Sequence, residues 1–252
     1  MGAPQQQAAS AFIARWQGVT ASELSTAQSF VTQLCELLGV DAPHPTPEQA
    51  YMFERPITFS HGDGSTSAGR IDCYRRGHFV LEAKKLKAGS HTKGFDDALL
   101  RARAQAEGYA RALPAPEGRP PFLMVVDVGN VIELYAEFTR SGATYTPFPD
   151  PRSHRLALAD LIKPEVRERL ALIWTDPESL NPARASARVT REVAAQLAEL
   201  AASTAPLAVA DIAARFKGKG PWKKGLPRIL ETLEALGRAR REETATGVGW
   251  RG

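Results

Sequence analysis

Apolar side chains in residues 9–38 recur every three to four positions, and an interruption after Gly18 predicts two helices there. A third helix is expected at Asp96–Leu113, which is rich in alanine and arginine. Apolar runs of strand length occur at Tyr51–Phe59, Phe122–Val128 and Val131–Phe138. Together with the hairpin described next, this order predicts an α/β (α+β) fold in which helices flank a mixed central sheet.

A β-hairpin is predicted at Gly69–Lys85, where a turn at Arg75–Gly77 separates two strands. Gly77 can adopt the positive φ that a three-residue loop requires. Because side chains alternate along a strand, Glu82 and Lys84 point to the same face. A buried carboxylate and a buried ammonium are costly unless they are paired or bind a metal, so the hairpin is a candidate site.

The register of this hairpin decides whether a second carboxylate, Asp72, joins the site. A three-residue loop would pair Tyr74 with His78 and Asp72 with Val80. Asp72 would then lie diagonal to Glu82 on one face, within reach of a shared ion. A two-residue loop with a regular ladder would put the two carboxylates on opposite faces and remove the site.

Oxygen ligands of this kind suit Mg²⁺, which binds through one or two carboxylates and keeps several waters. Asp72 and Glu82 would supply the carboxylates, and the backbone carbonyl of Ala83 a third ligand. Lys84 would orient or deprotonate the water that attacks a phosphodiester, and would add positive charge. Of the two helix carboxylates that could also reach this place, Glu23 is preferred over Glu36, although both fit equally as solvated helix residues.

Gln105 and Tyr109 stand four residues apart in the third predicted helix and therefore share one of its faces. They could brace the site or bind a phosphate, and they fit nearly as well as a packing face. The loop at 88–95, with Lys87 just before it, is expected to be solvated or to contact phosphate.

After Leu156 the pattern changes to short helices, expected at 158–162, 165–174 and 187–202. Beyond residue 204, two helices and a closing hairpin resemble a winged-helix module, which would bind DNA, the alternative being a small interaction or dimerisation domain. Its basic residues are Lys217, Lys219, Lys223, Lys224 and Arg228. The expected domains are 1–155 for the catalytic domain, 156–204 for a helical spacer and 205–252 for the winged-helix-like module.

The composition is that of an ordinary soluble globular protein, with 43% hydrophobic and 24% charged residues among 252. A formal net charge of +4 permits a polyanionic partner without requiring one. Cys35 and Cys73 are expected to be packed thiols, and the histidine spacing indicates no zinc site. No apolar run could span a membrane and no secretion signal is present, so a cytoplasmic protein without a membrane partner is expected.

Asp72, nine intervening residues and then Glu82-Ala83-Lys84 resemble the PD-(D/E)XK nuclease superfamily. Gln105-x-x-x-Tyr109 resembles the additional motif of its RecB-like branches. The resemblance implies a restriction-endonuclease-like fold and assigns Asp72, Glu82, Lys84, Gln105 and Tyr109 to the catalytic centre. The ordered set of motifs is considerably more specific than the Glu-x-Lys motif alone.

A closer resemblance extends over most of the first two hundred residues, to the N-terminal endonuclease region of MmeI-like (type IIL) restriction–modification enzymes. It rests on Phe53–Pro56, Gly69–Asp72, Phe79–Lys84, Gln105–Arg111, Pro120–Gly129 and Pro147–Pro151. In that family the nuclease is fused through a helical spacer to a DNA methyltransferase and a target-recognition domain. This sequence ends at Gly252, so we expect either a separate protein to supply modification and recognition, or a stand-alone defence nuclease whose specificity comes from its C-terminal module.

These observations lead to two hypotheses. The first is a Mg²⁺-dependent DNA endonuclease, with Mn²⁺ as a substitute, in a restriction–modification or anti-phage defence system. Its expected partners are DNA, a separate DNA methyltransferase or defence-complex subunit, and a second copy of the chain for double-strand cleavage. The second is a noncatalytic DNA-binding subunit of such a complex that keeps a degenerate nuclease fold.

Overall fold

The computed structural model describes residues 3–19, 23–44, 48, 50–86, 92–184, 206–215, 222–235, 237, 239–244 and 247–251. Contacts divide the chain into two compact units, Met1–Asn181 and Pro182–Gly252. Each unit has its own apolar core. No helix in the described ranges is long and apolar enough to cross a membrane.

The first unit opens with two helices, α1 (Ala3–Trp16) and α2 (Glu23–Leu38). Each helix is followed within two residues by a glycine with positive φ, Gly18 (72°) after α1 and Gly39 (68°) after α2. Glycine adopts this conformation without a steric penalty. The predicted pair of helices with a break after Gly18 is confirmed.

A mixed sheet forms the centre of this unit. Its first five strands lie in chain order, every neighbouring pair antiparallel except β3 and β4, which are parallel. The five strands are β1 (Tyr51–Ser60), β2 (Thr66–Arg75), β3 (Phe79–Lys84), β4 (Phe122–Asp127) and β5 (Val131–Ala136). Helix α3 (Lys93–Ala112) makes the crossover that a parallel pair requires. A mixed sheet flanked by helices is thereby confirmed.

The two faces of the sheet are covered by different elements. One face packs on α1, α2 and the later α4 (Pro164–Thr175) around Phe79, Phe122 and Trp174. The other face packs on α3. The α3 side of the sheet carries Glu82 and Lys84, because these residues alternate with Leu81 and Ala83 of the opposite core.

Several elements extend or begin differently from their predicted bounds. Helix α3 begins at Lys93, three residues before the predicted start, because the side chain of Thr92 caps it by accepting from the Phe95 N–H. Short strands β6 (Thr146–Pro147) and β7 (Arg155–Ala157), which were not predicted, pair with β5. The predicted helix 187–202 lies outside the described residues.

Short 3₁₀ helices occur at Ala115–Glu117, Leu158–Ile162 and Pro177–Leu180. Leu158 and Leu161 are buried in the same core as α1 and α4, so the chain after β7 still packs on the sheet.

The second unit contains strand β8 (Leu207–Ala208), helices Val209–Arg215 and Trp222–Ala235, and strands β9 (Arg240–Thr244) and β10 (Gly247–Arg251). Its three strands are antiparallel in the order β8–β10–β9. The longer helix begins at Trp222. Its core is formed by Ile212, Leu226, Leu230, Ala239 and Trp250.

Candidate active site

The loop of the central hairpin lies one residue later than predicted. Its strands last pair at Arg75 and Phe79, so the loop is 76–78 instead of 75–77. The N–H of the last loop residue donates to the Arg75 carbonyl oxygen at 3.0 Å, and Gly77 has a φ of 74°. This is the third position of a four-residue turn, where a positive φ favours glycine.

The shifted loop also changes the pairing of the two strands. The predicted pairs Tyr74–His78 and Asp72–Val80 are wrong, because Tyr74 pairs with Val80 and the ladder ends at Cys73–Leu81. The alternation of side chains along β2 breaks at Asp72, because Ile71 packs in the core on the α3 side and Cys73, two residues later, packs in the opposite core. The ladder therefore does not assign Asp72 to the face that carries Glu82.

Asp72 binds the backbone of the neighbouring strand. Its Oδ2 accepts a hydrogen bond from the Ala83 N–H at 2.7 Å. This bond holds the carboxylate beside the peptide that joins Glu82 to Ala83. Two of the predicted metal ligands are therefore in contact, and the third is the adjacent residue.

Glu82 and Lys84 form an ion pair within β3. Lys84 Nζ lies 2.7 Å from Glu82 Oε1, and the two side chains are 24% and 1% exposed. Because β3 has β2 on one side and β4 on the other, the carboxylate is enclosed by the sheet and α3. Burying an ion pair costs free energy, so this pair is weak evidence for a stabilising interaction. A functional role is the alternative to consider.

A cavity of about 30 Å³ adjoins the site between β1–β3 and α2. Asp72 and Ala83 line it together with Gln28 and Glu54. Its volume is sufficient for one water or one cation. In the described part of the chain, no three His, Cys, Asp or Glu side chains could together hold a metal ion. Glu82 is not among the residues that line this cavity. Two carboxylates, a backbone carbonyl and waters are nevertheless a donor set that fits Mg²⁺.

Cys73 follows Asp72 in the sequence but does not suit this site. Burial raises the pKa of its thiol well above the ordinary value, and the nearby Cys35 and Asp72 raise it further. The group therefore stays protonated at neutral pH, whereas a metal-binding cysteine must be a thiolate. Both cysteines are buried free thiols, as predicted.

Gln105 and Tyr109 bond to each other on α3. Gln105 Nε2 donates to Tyr109 Oη at 2.8 Å, and the tyrosine ring packs on Phe59 with centroids 5.6 Å apart. Gly69 lies beneath both rings, because a Cβ there would be 2.9 Å from each of them. The exposed Gln105 side chain is thereby tied to Tyr109, and the pair packs through the tyrosine ring on Gly69 of the strand that carries Asp72.

Other predicted residues lie partly or wholly outside the described structure. The side chain of Glu23, Lys87 in the loop before α3, and both Lys217 and Lys219 lie outside the described residues. The backbone of Lys223 and Lys224 is helical, but their side chains are not described, and Arg228 is exposed. The predictions for these residues therefore stay predictions.

Sequence reasoning did not identify Asp127 at the end of β4 as a site-associated residue. It pairs with Lys84 in the parallel ladder and is 1% exposed. The signal was an acidic residue within an apolar run, two residues before the turn at Gly129-Asn130.

Comparison with known proteins adds one match. A family described as MmeI, N-terminal domain, matches residues 5–203. No curated protein and no solved structure matches this chain. The match covers more than half of the chain and contains Asp72, Glu82 and Lys84. This chain belongs to the family of MmeI N-terminal domains.

Proposed function

We propose that this protein is a Mg²⁺-dependent DNA endonuclease of a restriction–modification or anti-phage defence system. The observation that carries the proposal is the adjacency of two contacts, Asp72 with the Ala83 N–H and Glu82 with Lys84, each at 2.7 Å. They join Asp72 of β2 to the segment Glu82–Lys84 of β3, which carries the second carboxylate, the backbone carbonyl and the ammonium. Membership of a family named for a restriction enzyme supports the same class of function.

Asp72 and Glu82 would hold the ion, with the Ala83 carbonyl as a third protein ligand. When bound, such an ion lowers the pKa of a coordinated water and stabilises negative charge on the phosphoryl group. Lys84 would orient the attacking water and place positive charge beside the scissile phosphate. Gln105, which is exposed and donates to Tyr109 Oη, would contact a neighbouring phosphate.

The test is cleavage of supercoiled plasmid DNA with Mg²⁺, with Mn²⁺ and with EDTA. We expect metal-dependent nicking that Asp72→Ala and Lys84→Ala abolish. Lys163→Ala is the matched control, because Lys163 Nζ also lies 2.7 Å from a carboxylate, that of Asp160, in an exposed pair. Cleavage that persists in EDTA or in Asp72→Ala would refute the proposal.

A noncatalytic DNA-binding subunit is the second candidate, and the C-terminal unit favours it. The order strand, helix, helix, strand, strand with three antiparallel strands is compatible with a winged helix. We propose that its basic residues, which include Lys223, Lys224 and Arg228, contact DNA phosphates. Intact DNA binding without cleavage, in the native protein and in both alanine variants, would support this candidate over the nuclease.

Double-strand cleavage by a single centre requires two copies, so we also propose that the chain pairs on DNA. Sedimentation with and without DNA tests this pairing. A protein that cuts both strands but sediments as a monomer in both conditions would contradict it.

We also propose that a separate methyltransferase or defence-complex subunit supplies sequence recognition and modification. Copurification with the native protein would detect such a partner.

A further inference from the structure

Asp127 ends the strand that runs parallel to the Glu82–Lys84 strand. Lys84 and Asp127 form the last pair of that ladder, so their side chains leave the same face of the sheet next to each other. Asp127 is 1% exposed, although it is the last residue of the strand and lies close to a turn. A carboxylate buried at this place needs an explanation, because its desolvation is costly.

The Asp127 carboxylate accepts hydrogen bonds from two segments of the chain, the one that follows β3 and the turn that follows β4. Oδ1 accepts from the backbone N–H of Leu86 at 2.9 Å, and Oδ2 accepts from Asn130 Nδ2 at 2.6 Å. Leu86 is two residues beyond Lys84, after the last strand residue. One oxygen therefore fixes the chain that leaves the candidate site, and the other fixes the turn after β4.

Two further bonds complete this frame. The N–H of Val128 donates to the Lys84 carbonyl at 2.9 Å, and Lys85 Nζ donates to the Val128 carbonyl at 2.8 Å. The turn itself cannot shift easily, because a Cβ at Gly129 would lie 2.4 Å from the Trp16 carbonyl oxygen. The backbone on the C-terminal side of Lys84 is thus anchored to Val128, and the turn that follows Val128 packs against the end of α1.

We infer that Asp127 is a positioning residue for Lys84. It fixes the end of β3 so that the ammonium stays beside Glu82 at the reaction centre. The inference rests on the proposed nuclease function and adds a residue to it. The physical reason is that a strand end held by one backbone bond frays, and a displacement of about 1 Å at a reacting group costs on the order of 10²-fold in rate.

Asp127→Ala and Asp127→Asn distinguish positioning from simple loss of charge. The asparagine oxygen can still accept from Leu86, and Asn130 can turn its amide to accept from the new NH₂ group. We expect Asp127→Ala to lower the single-turnover rate at saturating Mg²⁺ and DNA by about tenfold or more, with unchanged DNA affinity. Asp127→Asn should restore the rate to within about threefold of the native protein.

Glu137→Ala provides the matched control. Glu137 is a buried carboxylate that also caps backbone N–H groups, those of Thr139 and Gly142, but it follows β5 and lies outside the site. The Glu137→Ala variant should lose stability as Asp127→Ala does, but it should cleave DNA at the native rate. Equal rates for the two alanine variants, or an Asp127→Ala variant that cleaves like the native protein, would overturn the inference.

Hydrogen exchange of the peptide that covers residues 79–86 gives a readout that does not depend on activity. Asp127→Ala should accelerate exchange there, and Glu137→Ala and Asp127→Asn should not. If the native protein does not cleave DNA, the proposed function fails, and this measurement still decides whether Asp127 holds the end of β3. Unchanged exchange in Asp127→Ala overturns the inference in either case.

Discussion

Glu82 and Glu133 lie in one row across the sheet, two strands apart, with Val125 between them. Both are 1% exposed and face α3. They differ in what surrounds them. Glu133 Oε2 accepts from Tyr135 Oη at 2.8 Å and Oε1 accepts from Arg155 Nε at 2.7 Å. Glu82 instead pairs with a lysine of its own strand, next to a second carboxylate, Asp72.

Burial alone therefore does not separate the carboxylate with a proposed catalytic role from one that belongs to a structural network. Arg155 also contacts Asp96 at 2.8 Å, so Glu133 belongs to a network that ties β5 and β7 to the start of α3. Burial raises the pKa of Tyr135, and the charge of Glu133 raises it further, so the hydroxyl remains a donor at neutral pH. Each carboxylate is therefore the natural control for the other.

The largest expected effect is that of Glu82→Gln. Cleavage should fall by about 10³-fold or more, because the substitution removes one carboxylate of the proposed metal site. The free energy of unfolding should fall by no more than about 1 kcal/mol, since the glutamine oxygen still accepts from Lys84. Plasmid cleavage and urea unfolding measure the two quantities. If Glu82→Gln cleaves within tenfold of the native rate, Glu82 has no catalytic role that separates it from Glu133.

Glu133→Gln should show the reverse behaviour. The glutamine oxygen can accept from Arg155 and its NH₂ group can donate to the Tyr135 hydroxyl oxygen, but the charge that pairs with Arg155 is lost. We expect a loss of about 1–2 kcal/mol in the free energy of unfolding, with cleavage within about threefold of the native rate. A loss of cleavage without a loss of stability would place Glu133 in the catalytic centre.

Gly69→Ala tests how α3 rests on the strand that carries Asp72. A Cβ at Gly69 would lie 2.9 Å from both Phe59 and Tyr109, so one ring must move. We expect a loss of about 1–2 kcal/mol in the free energy of unfolding. Gly62→Ala, where no atom lies within 4 Å, is the control in the same hairpin and should be nearly neutral. Equal stability of the two variants would contradict the packing seen at Gly69.

The smallest effect concerns pH and the turn between the two carboxylate-bearing strands. Burial lowers the pKa of His78, and the charges of Arg75 and Arg140 contribute. The unfolded chain therefore takes up this proton first, as the pH falls through about 6.5. Stability should decrease from that pH down to the lowered folded-state pKa. His78→Gln should flatten this part of the profile in urea unfolding between pH 7.5 and 5.5, and an unchanged slope would exclude His78 as the cause.

The sequence predicted the faces of the strands better than their register. A shift of two residues preserves the alternation along β3, so Glu82 and Lys84 share a face as predicted. That alternation was sufficient to group these two residues but not Asp72, because the break in the alternation of β2 leaves no mark in the apolar pattern. The position of the loop depended on local turn geometry, which the pattern of apolar residues does not encode.

Long-range features were beyond the sequence pattern for a different reason. The pairing of Lys84 with Asp127 depends on how β4 aligns with β3 after the crossover, and nothing local fixes that alignment. The start of α3 was predicted too late because residues 88–95 were expected to form a loop, whereas the cap at Thr92 starts the helix despite the low helix propensity of Gly94.

The parallel pairing of β3 with β4 makes the candidate site a late product of folding. The hairpin of β2 and β3 closes over a short loop, so Asp72, Glu82 and Lys84 can meet early. The anchor at Asp127 arrives only after the chain has passed through all of α3, and closing a longer loop costs more entropy. A nascent chain that ends before β4 would carry Asp72, Glu82 and Lys84 but would lack Asp127, the residue proposed to hold Lys84 in place.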